Sequence, residues 1–423
     1  MDIGIFEQYE SNVRGYIRSF PTIFTTAKNS TIMDDKGKTY IDFFGGAGSL
    51  NYGHNDPAVK AALIEYIQND GITNALDKAT KAKHDFIVAF QETILKPRDM
   101  EYKIQFVGPT GTNAVETALK LARKVKERSN VIAFTNAYHG HTLGALAVTG
   151  NEFYHDNYYG VPLNVNKLPY DNYFDQGMDS MDMLSHYLGD ASSGFDLPAA
   201  VIVETIQGEG GINIASVKWL QKLSKLCQEK DILLVIDDIQ VGNGRTGDFF
   251  SFERAGIKPD IITLSKSIGT GLPMSIVLMR PEIDQWEPGE HTGTFRGNSL
   301  AFIAGATALE RWKTDNFSKE IRAKGEKVGA AFRKLQEQHP NYIVDARGLG
   351  MIWGLESETE GFCGEVSHQA FERGLLMETA GAGDQVLKFL APLTISEKEL
   401  DEGLKLLEES VKAAVEKFDK EAA

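Results

Sequence analysis

An aspartate and a lysine stand at the ends of two apolar runs in the middle of the chain. Ile232–Ile236 is an unbroken apolar run that closes on Asp237, and Ile261–Leu264 closes on Ser265 and Lys266. A lysine amine can form an imine with an aldehyde, and a carboxylate can hold a ring nitrogen in its protonated form. The pair therefore suits chemistry on a pyridine-based electron sink, although an isolated Asp and Lys more often form a salt bridge at a sheet edge.

The two apolar runs are predicted to be buried strands of a parallel sheet. Their apolar residues are continuous rather than alternating, which is typical of strands that are covered on both faces. Similar runs occur at Val131–Phe134 and Ala199–Val203, and the amphipathic stretch Ser216–Lys230 is predicted to be a crossover helix. Because ligands bind at the carboxyl ends of strands in open α/β sheets, the aspartate and the lysine are expected at one crevice.

A third candidate site is a helix start that could bind phosphate. The predicted strand Tyr102–Val107 is followed by GPTGTNAVETALK, whose second part has helical periodicity. Free backbone N–H groups at a helix start attract anions, and Gly111, next to Thr112, permits close approach. Taken alone, the Gly-Thr pair is more typical of a plain helix cap.

The composition indicates an ordinary globular enzyme and argues against two classes of partner. The chain has 423 residues, of which 42% are hydrophobic and 24% charged, and its net charge is −15. An acidic protein without a basic run is a poor ligand for nucleic acid or an anionic membrane. Cys227 and Cys363 lack the spacing of a disulfide framework or a metal site, which favours a reducing compartment. With no signal peptide and no apolar stretch of roughly 20 residues, a cytoplasmic protein is expected.

The chain is long enough for two domains. Residues 1–50 are predicted to be an N-terminal arm that belongs to a small domain. Residues 51–312 are predicted to form the large domain, and residues 313–423 the rest of the small α+β domain, since the pattern changes after the helix that ends near Lys313.

These motifs, in this order, resemble the class III pyridoxal-phosphate aminotransferases. The matching stretches are ETIQGEGG, VIDDIQVGNGRTG, PDIITLSKSIGTGLP and HTGTFRGNSLA. Within the class, the resemblance is best to the diaminobutyrate–2-oxoglutarate aminotransferases of ectoine biosynthesis, and it extends from about Pro21 to the C-terminal helix. It implies the fold type I (aspartate-aminotransferase-like) α/β architecture, in which a large domain with a mostly parallel seven-stranded sheet lies beside a smaller α+β domain.

The resemblance implies pyridoxal 5'-phosphate as the cofactor and assigns its polar contacts. Lys266 is implied to form the internal aldimine and later to move the proton, and Asp237 to meet the pyridine nitrogen. Gly111 and Thr112 are implied to bind the phosphate. Thr294 is implied to reach the phosphate of the other subunit's cofactor, so that a homodimer at least is required for activity.

Three further residues are implied to surround the cofactor ring. Tyr138 is implied to stack on one face of the ring and Ile239 to cover the opposite face. Gln240 is implied to reach the phenolic oxygen.

The residues that would bind substrate carboxylates depart from the usual pattern of the class. Glu204 is implied to be a catalytic residue beside Lys266 and Asp237: relatives pair the glutamate at this position with a C-terminal arginine, and release it when a dicarboxylate enters. Here Lys388 stands where that arginine usually lies, and His141 stands where ornithine and γ-aminobutyrate enzymes commonly have arginine. Neither residue can make the bidentate guanidinium fork. Arg296 is a candidate replacement, the alternative being a structural ion pair between subunits.

The reaction that the resemblance implies transfers the amino group of L-glutamate to the aldehyde of L-aspartate 4-semialdehyde, which gives L-2,4-diaminobutyrate and 2-oxoglutarate. A 4-aminobutyrate or ornithine transaminase of the same class is the nearest alternative. A nucleotide-binding dehydrogenase is disfavoured because no G-x-G-x-x-G follows a first strand. A non-catalytic protein of this fold is disfavoured because both Asp237 and Lys266 are present.

Overall fold

The computed structural model describes residues 1–156, 158–159, 164–174 and 179–422. Residues 157, 160–163 and 175–178 of the predicted large domain, and residue 423 of the predicted small domain, lie outside the described residues. Within the described ranges, no helix is both long enough and apolar enough to cross a membrane.

The secondary structure alternates between helices and strands along most of the described chain. In chain order the strands are β1 (Phe24–Lys28), β2 (Thr31–Asp34), β3 (Thr39–Asp42), β4 (Lys103–Phe106), β5 (Val131–Phe134), β6 (Val165–Leu168), β7 (Ala200–Val203), β8 (Ile206–Gln207), β9 (Asn213–Ile214), β10 (Leu233–Asp237), β11 (Ile261–Leu264), β12 (Ile276–Met279), β13 (Asp345–Leu349), β14 (Ile352–Glu356), β15 (Leu375–Leu376), β16 (Glu378–Ala380) and β17 (Val386–Phe389). The α-helices are α1 (Gly4–Tyr9), α2 (Tyr16–Ser19), α3 (Gly45–Gly48), α4 (Pro57–Gln68), α5 (Lys81–Phe90), α6 (Gly111–Lys126), α7 (Leu143–Val148), α8 (Ser180–Gly189), α9 (Val217–Glu229), α10 (Ser299–Leu309), α11 (Asn316–Gln338), α12 (Phe362–Arg373) and α13 (Glu397–Ala422).

A seven-stranded sheet lies at the centre, with the strand order β4-β12-β11-β10-β7-β5-β6. β12 runs antiparallel to both of its neighbours, whereas β11, β10, β7, β5 and β6 are parallel to one another. The predicted mostly parallel seven-stranded sheet is therefore confirmed.

The unbroken apolar sequence of β10 reflects burial on both of its faces. Leu233 and Val235 pack in one core with the apolar side of α6, while Leu234 and Ile236 pack in another core with the apolar side of α9. Successive side chains of a strand point to opposite faces, so a strand with a helix on each side must be apolar at every position. Asp237, the last residue of β10, then stands out as a polar side chain at the edge of this layer.

Residues from both ends of the chain share the smaller sheets. β15 pairs parallel with β3, which joins the N-terminal strands to the C-terminal part of the chain. A second antiparallel sheet has the order β13-β14-β17-β16, and in it Glu378 lies opposite Lys388. Sharing of a sheet by residues 39–42 and 375–376 supports the expected association of the N-terminal arm with the small domain, whose boundaries stay a prediction.

Candidate active site

Asp237 and Lys266 meet at the carboxyl edge of the central sheet. β10 and β11 are parallel neighbours in which Asp237 lies opposite Thr263, and Lys266 follows two residues after the end of β11. Both side chains line one cavity of about 310 Å³. The remaining lining residues come from the α6 start, the loop after β5, and the segments after β7 and β10: Thr110, Gly111, Thr112, Tyr138, His139, Gly140, His141, Glu204, Glu209, Ile239, Gln240 and Val241.

Asp237 is held rigidly from behind by groups that donate hydrogen bonds. Its Oδ2 lies 2.6 Å from His139 Nδ1, and its Oδ1 accepts from the Ile239 N–H and the Thr263 hydroxyl, each at 3.2 Å. The Asp237 side chain is only 4% exposed. His139 was not among the residues expected from the sequence, although it directly follows Tyr138 in the motif AYHGH.

Lys266 carries an amine that the protein shifts toward its uncharged form. Burial lowers the pKa of Lys266. The neighbouring carboxylates, of which Glu209 contributes most, raise it by a smaller amount, so the pKa lies below its usual range. Its backbone adopts a left-handed conformation with φ 50°, which is uncommon outside glycine and typical of functional sites. An uncharged amine is the form that attacks an aldehyde or accepts a proton.

The start of α6 forms the part of the cavity suited to an anion. Asn113 Oδ1 accepts hydrogen bonds from the Thr110 hydroxyl at 2.9 Å and the Thr110 N–H at 3.4 Å, which fixes the first turn. A Cβ added at Gly111 would lie 3.0 Å from Ile239 Cδ1, so a side chain here would press on Ile239 at the cavity wall. Backbone N–H groups at the first positions of a helix have no partner within the helix and can bind a phosphate.

The loop that carries Tyr138, His139 and His141 is fastened to α6. The hydroxyl groups of Thr112 and Thr142 are 2.6 Å apart. Glu116 Oε1, on the next turn of α6, accepts hydrogen bonds from the Gly144 and Ala145 N–H groups at 2.8 and 3.1 Å. These contacts fix the aromatic wall of the cavity relative to the helix start.

The predicted ring contacts Tyr138 and Ile239 both line the cavity. Burial raises the pKa of Tyr138 to about 12, with a smaller contribution from Glu209. Gln240 also lines the cavity, but its Nε2 donates to Ala47 O at 3.1 Å and to Glu209 Oε1 at 2.7 Å. The stacking roles and a contact from Gln240 to a phenolic oxygen stay predictions.

The glutamate that pairs with the C-terminal cation is Glu209, so the pairing expected for Glu204 is wrong. Glu204 Oε1 instead accepts the Tyr138 N–H at 2.9 Å, and burial followed by repulsion from Asp237 raises the Glu204 pKa well above its usual range. Glu204 directly follows β7 and stays beneath the Tyr138 loop. The β8–β9 hairpin projects from the sheet, and its turn carries Glu209 to Lys388.

Lys388 is fully buried between two carboxylates. Its Nζ lies 2.8 Å from Glu209 Oε1 and 3.0 Å from Glu378 Oε1, and the Tyr16 hydroxyl donates to Glu378 Oε2 at 3.1 Å. Burial opposes the charge on Lys388, but Glu209 and then Glu378 outweigh it and raise the Lys388 pKa. Burial likewise opposes the charge on Glu209, and Lys388 outweighs it and lowers the Glu209 pKa to about 2. Lys388 therefore stands behind Glu209 rather than at the cavity surface.

Two predicted site residues, Thr294 and Arg296, lie outside this cavity in the same chain. Thr294 is exposed, and its carbonyl accepts from Asn74 Nδ2 at 3.3 Å. Arg296 forms an ion pair with Asp77 and lines a separate groove beside Trp286. The loop does not reach the cavity of its own chain, so a role of either residue in another subunit stays a prediction.

His141 is a cavity residue with an aromatic environment. Its ring centroid lies 5.2 Å from that of Tyr138 and 4.4 Å from that of Tyr154. Burial lowers the His141 pKa and so disfavours the charged ring, and an imidazole lacks the bidentate fork of a carboxylate-binding arginine.

Comparison with known proteins identifies the family. The model of the family "Aminotransferase class-III" matches residues 15–411. A Wolinella succinogenes protein named diaminobutyrate–2-oxoglutarate transaminase is 56% identical over 407 residues, which span 96% of this chain and 95% of that protein. A protein of the same name from Halalkalibacterium halodurans is 53% identical over 417 residues, 98% of this chain and 97% of its own length.

The solved structures agree with this assignment. The ornithine aminotransferase of Toxoplasma gondii superimposes with a TM-score of 0.85 at 27% identity, covering 98% of this chain and 95% of that one. Another structure of that enzyme has partial occupancy of PLP at its active site. The predicted fold type I architecture and the resemblance stated from the motifs are confirmed, and the chain belongs to the class-III aminotransferases.

Proposed function

We propose that this class-III aminotransferase uses pyridoxal 5'-phosphate to move the amino group of L-glutamate to L-aspartate 4-semialdehyde. The products are L-2,4-diaminobutyrate and 2-oxoglutarate, and the place of the reaction is ectoine biosynthesis in the cytoplasm. The main observation in support of this chemistry is that Asp237 and Lys266, at the ends of adjacent parallel strands, line the same cavity. The substrates follow from the names of relatives that are more than half identical over nearly the whole chain.

The residues of the cavity fit the cofactor group by group. Lys266 offers an amine shifted toward its uncharged form for the aldehyde, and Asp237 offers a buried carboxylate for the ring nitrogen. Gly111 leaves open an approach to the α6 start that a Cβ would crowd, and Thr112 follows with its backbone N–H for the phosphate. Tyr138 and Ile239 supply apolar surface for the ring.

When bound, pyridoxal phosphate supplies an electron sink that lets a carbon next to the substrate nitrogen lose its proton. Lys266 Nζ takes that proton and returns it, since an amine shifted toward its neutral form is a base of suitable strength. Asp237, fixed by His139 and Thr263, holds the ring nitrogen in its charged form. Glu204 acts through the Tyr138 backbone, and so we assign it a positioning role.

Glutamate and the aldehyde substrate share a carboxylate at the end far from the reacting atoms. We propose that Lys388 contacts the distal carboxylate of glutamate when Glu209 moves aside, since Lys388 lies directly behind Glu209 at the cavity wall. Arg296 would reach a substrate only from another subunit, since its own chain pairs it with Asp77. We further propose that the active protein is at least a homodimer, in which Thr294 of one subunit contributes to the site of the other.

The direct test offers the purified protein L-glutamate together with aspartate, succinate or glutamate semialdehyde, and measures the 2-oxoglutarate that forms. We expect aspartate semialdehyde to give the highest kcat/KM and the Lys266→Ala variant to give no product with any of them. Preference for succinate or glutamate semialdehyde would instead identify a 4-aminobutyrate or ornithine transaminase.

A further inference from the structure

Three charged side chains form one buried cluster beside the cavity. The Lys388 cluster consists of Glu209, Lys388 and Glu378, with the ammonium of Lys388 between the two carboxylates at 2.8 and 3.0 Å. Lys388 is 0% exposed and Glu378 only 6%. The single ammonium is shared by the two carboxylates, and Tyr16 adds a hydrogen bond to Glu378 but no charge, while burial raises the Glu378 pKa.

Glu209 has an oxygen that the protein leaves unused. Its Oε1 accepts from both Lys388 and Gln240, at 2.8 and 2.7 Å. Its Oε2 accepts no hydrogen bond from any of the described residues, and the side chain is 24% exposed and lines the cavity. A carboxylate oxygen in this position can accept a hydrogen bond from a cationic group of a ligand.

The aromatic part of the cavity wall also suits a cation. Tyr138 and His141 line the cavity with Tyr154 packed against them, and aromatic faces attract ammonium groups. In the part of the chain that the structure describes, the cavity lining contains no arginine, and Lys266 is its one lysine. Apart from Lys266 and the two histidines, the lining therefore carries acidic, aromatic and uncharged side chains.

We propose that Glu209 Oε2 binds the α-ammonium group of the amino-acid substrate, and that Lys388 and Glu378 hold Glu209 in place without fully neutralising it. This inference rests on the proposed function. Aspartate 4-semialdehyde and 2,4-diaminobutyrate carry an α-ammonium at the end away from the reacting carbon, whereas succinate semialdehyde and 4-aminobutyrate lack it. Glu209 is thus the residue that determines specificity, and Glu378, which acts through Lys388, is a positioning residue.

The test uses two amino donors that differ only in this group. L-2,4-Diaminobutyrate is 4-aminobutyrate with an added α-ammonium, so the pair isolates the proposed contact. Single turnovers of the cofactor-loaded enzyme with each donor, followed by the absorption of the bound cofactor, give an apparent Kd and a limiting rate. The variants are Glu209→Gln and Glu378→Gln. Glu365→Gln, which removes one charge of a surface pair with Lys417, is the matched control.

We expect the apparent Kd for diaminobutyrate to rise about tenfold or more in Glu209→Gln, the size of a lost charge-assisted hydrogen bond, and to rise by a smaller factor in Glu378→Gln, where Lys388 pairs with Glu209 alone. The apparent Kd for 4-aminobutyrate should stay unchanged or fall, and the control should change neither. Equal weakening of both donors, or unchanged binding of diaminobutyrate, would overturn the inference.

A second pair of donors separates this inference from the proposed function. L-Ornithine and 5-aminopentanoate also differ only in the α-ammonium. If the wild type fails to convert diaminobutyrate, the proposed function is wrong, and the loss of preference for ornithine over 5-aminopentanoate in Glu378→Gln still decides the role of the cluster. If Glu209→Gln fails to fold, Glu378→Gln carries the same comparison.

Discussion

His139 Nδ1 lies 2.6 Å from Asp237 Oδ2, and the two side chains are 0% and 4% exposed. The histidine thus fixes the carboxylate that we assign to the cofactor ring nitrogen. The other imidazole nitrogen, Nε2, is buried and has no hydrogen-bond partner among the described residues. The role of His139 in this site is therefore to orient Asp237 rather than to contact substrate.

Replacement of His139 by alanine should weaken cofactor binding. The change removes a hydrogen bond to a charged group, which is worth about 1.5–3 kcal/mol, or roughly tenfold to hundredfold in a Kd. Titration of the cofactor-free protein with pyridoxal phosphate, followed by absorption, measures this Kd. His84→Ala is the control, since His84 is exposed and paired with Asp85. An unchanged Kd in His139→Ala would show that Asp237 does not depend on the histidine.

Gly111→Ala should impair the phosphate site while it leaves the fold intact. The added methyl group would lie 3.0 Å from Ile239 Cδ1 and 3.2 Å from its Cγ2, and would crowd the approach to the α6 start. We expect the Kd for pyridoxal phosphate to rise by about tenfold and the far-ultraviolet circular dichroism to stay unchanged. Gly364→Ala, where a Cβ would meet nothing within 4 Å, should leave both quantities unchanged. Equal cofactor affinity in the two variants would contradict the phosphate assignment.

The buried Asp238 carboxyl group is expected to make the stability of the folded protein depend on pH. Burial raises its pKa from 3.8 to about 7, against the opposing hydrogen bonds from Ser251. A raised folded-state pKa means that the protonated form is favoured on folding, so this stability is present below about pH 4 and lost as pH rises through about 7. Asp238→Asn lacks the titration, and Asn can still accept the Ser251 N–H and donate to the Ser251 hydroxyl oxygen.

The free energy of unfolding of Asp238→Asn should therefore rise relative to the wild type by roughly 2–3 kcal/mol between pH 5 and pH 8. Urea-induced unfolding at the two pH values measures the difference. A difference that does not change with pH would show that Asp238 is ionised throughout.

The strands and the central pair could be predicted because local sequence determines them. Strands β5 and β11 lie at Val131–Phe134 and Ile261–Leu264, the predicted bounds, since runs that are apolar apart from Thr263 are typical of strands covered on both faces. The local sequence does not show which glutamate pairs with Lys388. Glu204 and Glu209 lie in one motif, and only the turn of the β8–β9 hairpin decides which of them reaches β17.

The second carboxylate of the cluster illustrates the same limit. Glu378 is an isolated acidic residue in the sequence. Its contact with Lys388 depends on the pairing of β16 with β17, which places the two residues opposite each other. Arg296 was expected at the shared active site because of its motif. An ion pair with Asp77, more than two hundred residues earlier in the chain, holds it elsewhere within its own subunit.

Hybrid dimers test whether Thr294 acts across the subunit interface. Lys266→Ala and Thr294→Ala should each be nearly inactive as pure proteins. In a hybrid dimer, the subunit with intact Lys266 receives Thr294 from its partner, so one site is complete. Dissociation and reassociation of an equal mixture should restore about a quarter of wild-type activity, because half of the dimers are hybrids with one intact site each. A mixture that stays inactive would show that Thr294 does not act across the subunit interface.

The most direct measurement is the visible absorption and turnover of the Lys266→Ala variant beside the wild type, each loaded with pyridoxal phosphate and then freed of unbound cofactor by gel filtration. The wild type should be yellow, lose its colour with borohydride, and form 2-oxoglutarate from glutamate. The variant should lack both the borohydride-sensitive colour and the turnover. A variant that kept the colour and still transferred amino groups would contradict the assignment of Lys266, and with it the whole account of the site.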